Sequence, residues 1–237
     1  SLNSNDPYKM FNTIVEGQER ILAESSKASS RLLFLSSGAV YGKQPLGLEK
    51  LTEEFPFDKN DGDKISAYHD GKRAAEMQSD IAALRWGTDV VTARLFAFVA
   101  PFLPFGTHFA AGNFIRDAMQ SEAINVSGDG TTIRSYLYAA DLAIWLWTIL
   151  FQGTSGRPYN VGSSEPISIK ELADLVSGNF EPQPEVKLGQ AAVPGRPPAR
   201  YVPSNQRALN ELGLEECIPV DEGIRRTVKW CTQGQRD

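Results

Sequence analysis

Between Asp6 and Lys27 the apolar residues Phe11, Ile14, Val15, Ile21 and Leu22 recur on one face at helical spacing, with Pro7 suited to a first turn. This predicts an amphipathic helix. The chain then turns continuously apolar over 31–36, where Leu32, Leu33, Phe34 and Leu35 read as a short strand covered on both faces of a parallel sheet. Helix formers dominate 66–86, and DVVTARLF at 89–96 is a second strand. Helix, strand, helix, strand at this spacing predicts an α/β doubly wound parallel sheet.

After Pro101 the texture changes. FLPFGTHF is an aromatic and proline loop; 109–120 reads as a helix, and 123–127 and 133–138 as strands around the turn Gly128-Asp129-Gly130. The run AADLAIWLWTILF at 139–151 is apolar almost all round and predicts a buried helix in which Trp145 and Trp147 pack. Asp141, ahead of the continuous apolar part of that run, is suited to fixing the helix start. A strand at 157–161 follows, then a helix opened by the capping box Ser168-Ile169-Lys170-Glu171, a proline-rich loop at 182–203, and helices near 204–212 and 219–232. The division is a Rossmann-like part at 1–100 and a smaller mixed α/β substrate lobe at 101–237, with 131–152 packing back on the first part.

Composition narrows the function. The 237 residues carry a net charge of -5 with no basic block, which argues against a nucleic-acid partner and for small-molecule chemistry. No apolar run approaches the roughly 18 to 20 residues of a membrane span, and the first residues are not a signal peptide, so a cytoplasmic protein with no membrane partner is expected. Cys217 and Cys231 have no metal-ligand companions and read as reduced thiols. Neither His69 nor His108 has a metal-spaced partner.

Candidate chemistry begins where the first strand ends. The apolar run stops at SSGAVYG (36–42), and Tyr68-His69-Asp70-Gly71-Lys72 places a tyrosine and a lysine four apart, on one helix face. Free tyrosine ionises near 10, so a neutral-pH base needs a shift of roughly 3 units, about 4 kcal/mol of nearby positive charge. A partly dry lysine beside an oxidised nicotinamide suffices. Ser37, at the carboxyl end of a parallel strand, is placed to hold a substrate oxygen while the tyrosine takes its proton. Each pattern alone is common in helices and turns; their order along the chain carries the reading.

SSGAVYG, YHDGK, the ARLF strand, GNFIRDAM, GDGTTIRSYLYAADLA and YNVGSSEPISIKELA, in that order, resemble the extended short-chain dehydrogenase/reductase superfamily, in its NAD-dependent nucleotide-sugar epimerase/dehydratase family. The resemblance covers nearly the whole chain. It implies a catalytic set of Ser37, Tyr68 and Lys72, with Ser36, Tyr68 and Lys72 touching NAD or NADP. It also implies a nucleotide-diphosphate-sugar substrate held by Asn113, Arg134 and Arg196, a homodimer built on helices 6–27 and 66–86, and a role in making sugars for surface polysaccharides. Guanidinium groups suit a diphosphate, above all in an acidic protein.

Three departures sharpen the expectation. The family's 4,6-dehydratases carry Asp and Glu after the catalytic hydroxyl residue, where this chain has Gly38 and Ala39, which transfer no proton. An epimerase or ketosugar reductase is therefore expected, ahead of a 4,6-dehydratase or a non-catalytic nucleotide-sugar-binding module. The family's Asn after ARLF is Ala97 here. The opening G-x-x-G-x-x-G strand-loop-helix of the family is not in these residues, on the order of 80 to 100 residues of Rossmann unit by typical βαβ sizes. Weak NAD binding and association with a covering partner or a second copy are expected of the chain alone.

Overall fold

The computed structural model describes residues 2–57, 66–106, 109–120 and 122–233. After the single turn α1 (Leu2–Asn5), α2 (Pro7–Lys27) begins with Asp6 as its cap, the carboxylate accepting from Lys9 N at 2.9 Å, and Pro7 in the first turn. Strand β1 (Leu32–Ser37) runs into a 3-10 turn, Gly38–Tyr41. Helix α3 (Ala67–Trp86) is capped by Ser66 and stops at Gly87, whose φ of 66° is the left-handed conformation that glycine adopts freely. β2 (Val90–Leu95) then pairs in parallel with β1, Phe34 opposite Thr92 and Ser36 opposite Arg94.

The remaining elements are β3 (Phe98–Val99), α4 (Ala110–Met119), β4 (Ile124–Val126), β5 (Ile133–Arg134), β6 (Leu137–Tyr138), α5 (Ala139–Gln152), β7 (Pro158–Val161), β8 (Ile167–Ser168), α6 (Ile169–Ser177), β9 (Val186–Leu188), β10 (Arg200–Tyr201), α7 (Gln206–Leu212) and α8 (Val220–Gln233). The capping box at Ser168 and Glu171 forms in full. The main sheet is parallel, in the order β1-β2-β7. Strand 158–161, assigned by sequence to the second lobe, thus belongs to the first sheet. A mixed three-stranded sheet, β10-β5-β8, and the parallel pairs β3-β6 and β4-β9 complete the molecule.

Alternation along the strands decides what each face of the main sheet meets. Phe34 and Val90 pack against Leu22 of α2 and Ala75 and Ala82 of α3, while Val91 and Ala93 on the other face pack against Trp145 and Ile149 of α5 and Ala208 of α7. A separate core joins α4, α6 and α8 through Phe114, Ile115, Leu172, Val176, Ile224 and Val228. No helix among the described residues is long and apolar enough to cross a membrane.

Two apolar segments are less covered than their sequences predict. Only one stripe of α5, Asp141, Trp145 and Ile149, is buried; Ile144, Trp147 and Phe151 are 56, 63 and 68% exposed, and Trp147 stacks on Phe151 at 5.7 Å. The helix meets the sheet with one face and nothing described covers the other. Leu35 is 45% exposed because β1 is an edge, paired among the described residues with β2 alone. Asp141 also differs from expectation: its carboxylate accepts from Cys217 N at 3.1 Å and Ile218 N at 2.9 Å, anchoring the segment before α8 instead of capping its own helix.

Candidate active site

The two serines that end β1 face opposite ways. Ser36, buried, donates to Glu76 Oε1, and Glu76 is held by Arg94 through Nε at 3.1 Å and Nη2 at 2.7 Å. Glu76 and Arg94 are 5 and 6% exposed. Arg94 also donates to Tyr41 Oη at 2.8 Å and to the Glu53 carbonyl at 3.1 Å; Tyr41 in turn donates to Asn160 Oδ1 at 2.8 Å. Burial pushes the Tyr41 phenol up to about 12 against the pull of Arg94. Every charge taken out of water here has a partner of opposite sign or a hydrogen bond, as a buried pair requires.

Ser37 stands above this layer, partly exposed, its Oγ accepting from Ala39 N at 3.2 Å and so shaping the turn that follows. Lys72 reaches back from α3 to the same strand end, donating to the Leu35 carbonyl at 2.7 Å with its ammonium 5.0 Å from the centre of the Phe34 ring. Burial lowers the Lys72 pKa, and Glu76 one helical turn on opposes that. Tyr68 lies in the first turn of α3, its backbone N–H donating to Asn3 Oδ1 at 3.0 Å. Ser37 is a hydrogen-bonding neighbour of the Tyr201 hydroxyl, and Tyr68 lies within electrostatic range of it.

The residues expected to meet phosphates are more dispersed. Asn113 sits in α4 and accepts from Gly106 N at 2.9 Å, tying down the aromatic loop. Arg134 is partly buried on β5, pairs with Tyr201 of β10 in register, and lies 5.5 Å from the centre of that ring. Burial lowers its pKa, and no carboxylate among the described residues forms an ion pair with it. Arg196 is exposed on the turn before β10, near enough to Asp129 to help hold that carboxyl below its usual range, after the Thr131 hydrogen bonds.

A family model, the NAD dependent epimerase/dehydratase family, matches residues 1–162. The chain belongs to this family. Among curated relatives it is 29% identical to UDP-glucuronic acid decarboxylase 6 of Arabidopsis thaliana over 92% of this chain and 62% of that protein. It is 27% identical to UDP-glucuronic acid decarboxylase 1 of Danio rerio, over 95% of this chain and 53% of that one. The chain spans a little over half the length of these relatives. The structure of UDP-glucose 4-epimerase from Thermotoga maritima with UDP-glucose superposes with a TM-score of 0.85 at 20% identity, over 97% of this chain and 72% of that one. A dTDP-glucose 4,6-dehydratase from Streptomyces venezuelae with NAD and TYD bound gives 0.80 at 21%, over 98 and 69%. Both likenesses establish the fold.

For a member of the epimerase/dehydratase family, the residues present fit the nicotinamide end of a dinucleotide: Lys72, half-dry and one helical turn from Tyr68, reaches the open sheet edge that Ser37 ends. The sequence holds no G-x-x-G-x-x-G for the pyrophosphate. Ser36 meets Glu76 and has its hydroxyl turned into the protein. Among the described residues no group of three or more His, Cys, Asp and Glu is placed to hold a metal; His108 lies outside them.

Sequence reasoning missed Glu76, Arg94, Tyr41 and Tyr201. The first two had a signal: Glu76 follows Lys72 by one turn on the same face, and an arginine inside an apolar strand demands a buried acid. Tyr201 had none, because it arrives from a strand more than 160 positions downstream of Ser37.

Proposed function

We propose that this chain carries the catalytic and sugar-binding part of an NAD(P)-dependent nucleotide-sugar epimerase or ketosugar reductase, with Tyr68 as base, Ser37 as holder of the reacting oxygen and Lys72 as the cation one helical turn from the tyrosine. The observation that supports it is Ser37 at the carboxyl end of a parallel strand, with Lys72, one turn after Tyr68 on α3, reaching the Leu35 carbonyl of that strand. Tyr68 takes the proton of the substrate hydroxyl while Ser37 keeps that oxygen in place. A nicotinamide held there would supply the acceptor for the hydride of the same carbon, loss of the O–H proton and the C–H hydride giving a carbonyl. Gly38 and Ala39 offer no further acid or base, which supports a reaction needing hydride transfer alone over a 4,6-dehydration. Arg134, half-dry and without a carboxylate partner among the described residues, suits the diphosphate, and Asn113 and Arg196 are the further candidates for it.

The alignment with UDP-glucuronic acid decarboxylases over 92 and 95% of the chain favours one second reading. Oxidation next to a carboxylate-bearing carbon gives a β-keto acid, which loses carbon dioxide without a residue at 38 or 39. The test is a panel of UDP- and dTDP-sugars given to the complete gene product with NAD or NADP, products read by proton NMR. Epimer or reduced ketosugar, lost by a factor of about 10²–10⁴ in Tyr68→Phe, is expected; carbon dioxide from UDP-glucuronic acid moves the reading to decarboxylation, and a 4-keto-6-deoxy product overturns it. Binding that persists in Tyr68→Phe with no turnover of any sugar by the unaltered protein marks a non-catalytic module.

The 237 residues alone bind NAD poorly on this reading; calorimetry giving a Kd of roughly 1 μM or tighter refutes it. A homodimer forms through α2 and α3, whose outer faces expose Ile21, Met77, Ile81, Leu84 and Trp86. A monodisperse monomer in light scattering counts against that pairing.

A further inference from the structure

Gly38 has no room for a side chain, and the group that fills the space is a hydroxyl. A Cβ built at position 38 would lie 2.5 Å from Tyr201 Oη and 2.6 Å from the edge of the Phe96 ring, closer than real Cβ atoms approach anything. Tyr201 is held there from three directions. Its backbone pairs with Arg134 across β10 and β5, its ring lies 4.6 Å from that of Phe96, and the Arg134 guanidinium is 5.5 Å from its centre. Ser37 acts on its hydroxyl as a hydrogen-bonding neighbour and Tyr68 lies within electrostatic range. Tyr201 as a whole residue is only partly buried.

We propose that Tyr201 is a further substrate-binding residue of this site, a phenol that donates to a sugar hydroxyl neighbouring the oxygen held by Ser37 and Tyr68. The inference rests on the nucleotide-sugar reading above. Burial raises the Tyr201 pKa, so the phenol is a neutral donor throughout the working pH range and takes no part as a base. Its ligand is therefore an oxygen acceptor, and its contribution is selection: a site built to bond a hydroxyl rejects the analogue that lacks it. The residue also links two ends of the ligand, since the ring that fixes its hydroxyl lies against Arg134.

The test crosses one atom of the protein with one atom of the ligand. Affinities of UDP-glucose and of its 3-deoxy, 4-deoxy and 6-deoxy analogues are measured by calorimetry on the complete gene product and on Tyr201→Phe, which keeps the ring and its packing. UDP-glucose is expected to bind about 5- to 20-fold more weakly to the variant, and one deoxy analogue to bind both proteins equally. Equal weakening of all four ligands, or no weakening of any, overturns the proposal. Failure of the unaltered protein to bind UDP-glucose or dTDP-glucose instead overturns the nucleotide-sugar reading, whatever Tyr201 does. Thermal unfolding of Tyr201→Phe within about 2 °C of the unaltered protein keeps any loss of affinity assigned to the hydroxyl.

Discussion

At the end of β1 an arginine and a glutamate are 6 and 5% exposed and bonded to each other, to Ser36, to Tyr41 and to the Glu53 carbonyl; in the separate mixed sheet, Arg134 has its own neighbour's carbonyl at 3.0 Å and the ring of Tyr201. The first charge is satisfied by the fold. The second is partly dried by the fold and left without a counter-ion among the described residues. A buried pair complete in itself fixes geometry, since neither member is available to a ligand, whereas an incomplete cation leaves its strongest interactions for what binds. The Glu76–Arg94 layer is thus a floor that fixes the end of β1 through Ser36, and Arg134, on the proposed reading, is part of the wall that a diphosphate would complete.

The sharpest way to break this contrast is to remove one partner of the floor. Glu76→Ala leaves Arg94 buried without its carboxylate and is expected to cost about 3–5 kcal/mol of stability by urea denaturation, while exposed Arg196→Ala changes stability by about 0.5 kcal/mol or less. Equal effects would mean that the two regions do not differ in kind.

Alkaline pH compares the regions through their tyrosines. Burial holds Tyr41, in the floor, and Tyr136, near Arg134, neutral up to about 12. Unfolded tyrosine ionises near 10, so the folded state holds the extra protons between about 10 and 12. Stability from these groups is complete below 10 and lost as pH rises toward 12, by about 2–3 kcal/mol for each tyrosine. Tyr41→Phe and Tyr136→Phe should each flatten that fall in urea midpoints taken from pH 9 to 12, and a midpoint that stays level in the unaltered protein sinks the idea.

The parts of this contrast that were legible in the sequence are the local ones. Asp6 and Pro7 open α2, Ser168 and Glu171 form their box, and the ends of β1, α3 and β2 fall within a residue or two of the pattern, because caps and periodicity act over one or two turns. That Ser37 ends β1 and that Tyr68 and Lys72 share α3 was legible for the same reason. Exposure was not: α5 and Leu35 read as buried because hydrophobicity reports what a segment tolerates, while coverage depends on what packs there. Tyr201 against Gly38 was out of reach, since it depends on the parallel pairing of two-residue strands, too short to carry a pattern.

The smallest effects separate the arginines of the wall. Arg134→Ala is expected to weaken UDP-glucose binding about 10- to 100-fold, the range for a charge-assisted hydrogen bond made in a partly dry place. Arg134→Lys should restore little, because an ammonium lacks the planar fork and packs differently over Tyr201. Arg196, exposed and with Asp129 in electrostatic range, should give a loss of only about 2- to 5-fold. Salt tells the two apart beyond size: at 0.5 M the Arg196→Ala loss should shrink toward nothing, as expected of a solvent-exposed charge, while the Arg134→Ala loss persists because water and ions are kept from it. If instead both losses vanish together in salt, Arg134 is also a surface charge to the ligand, and the wall is no drier than the rim.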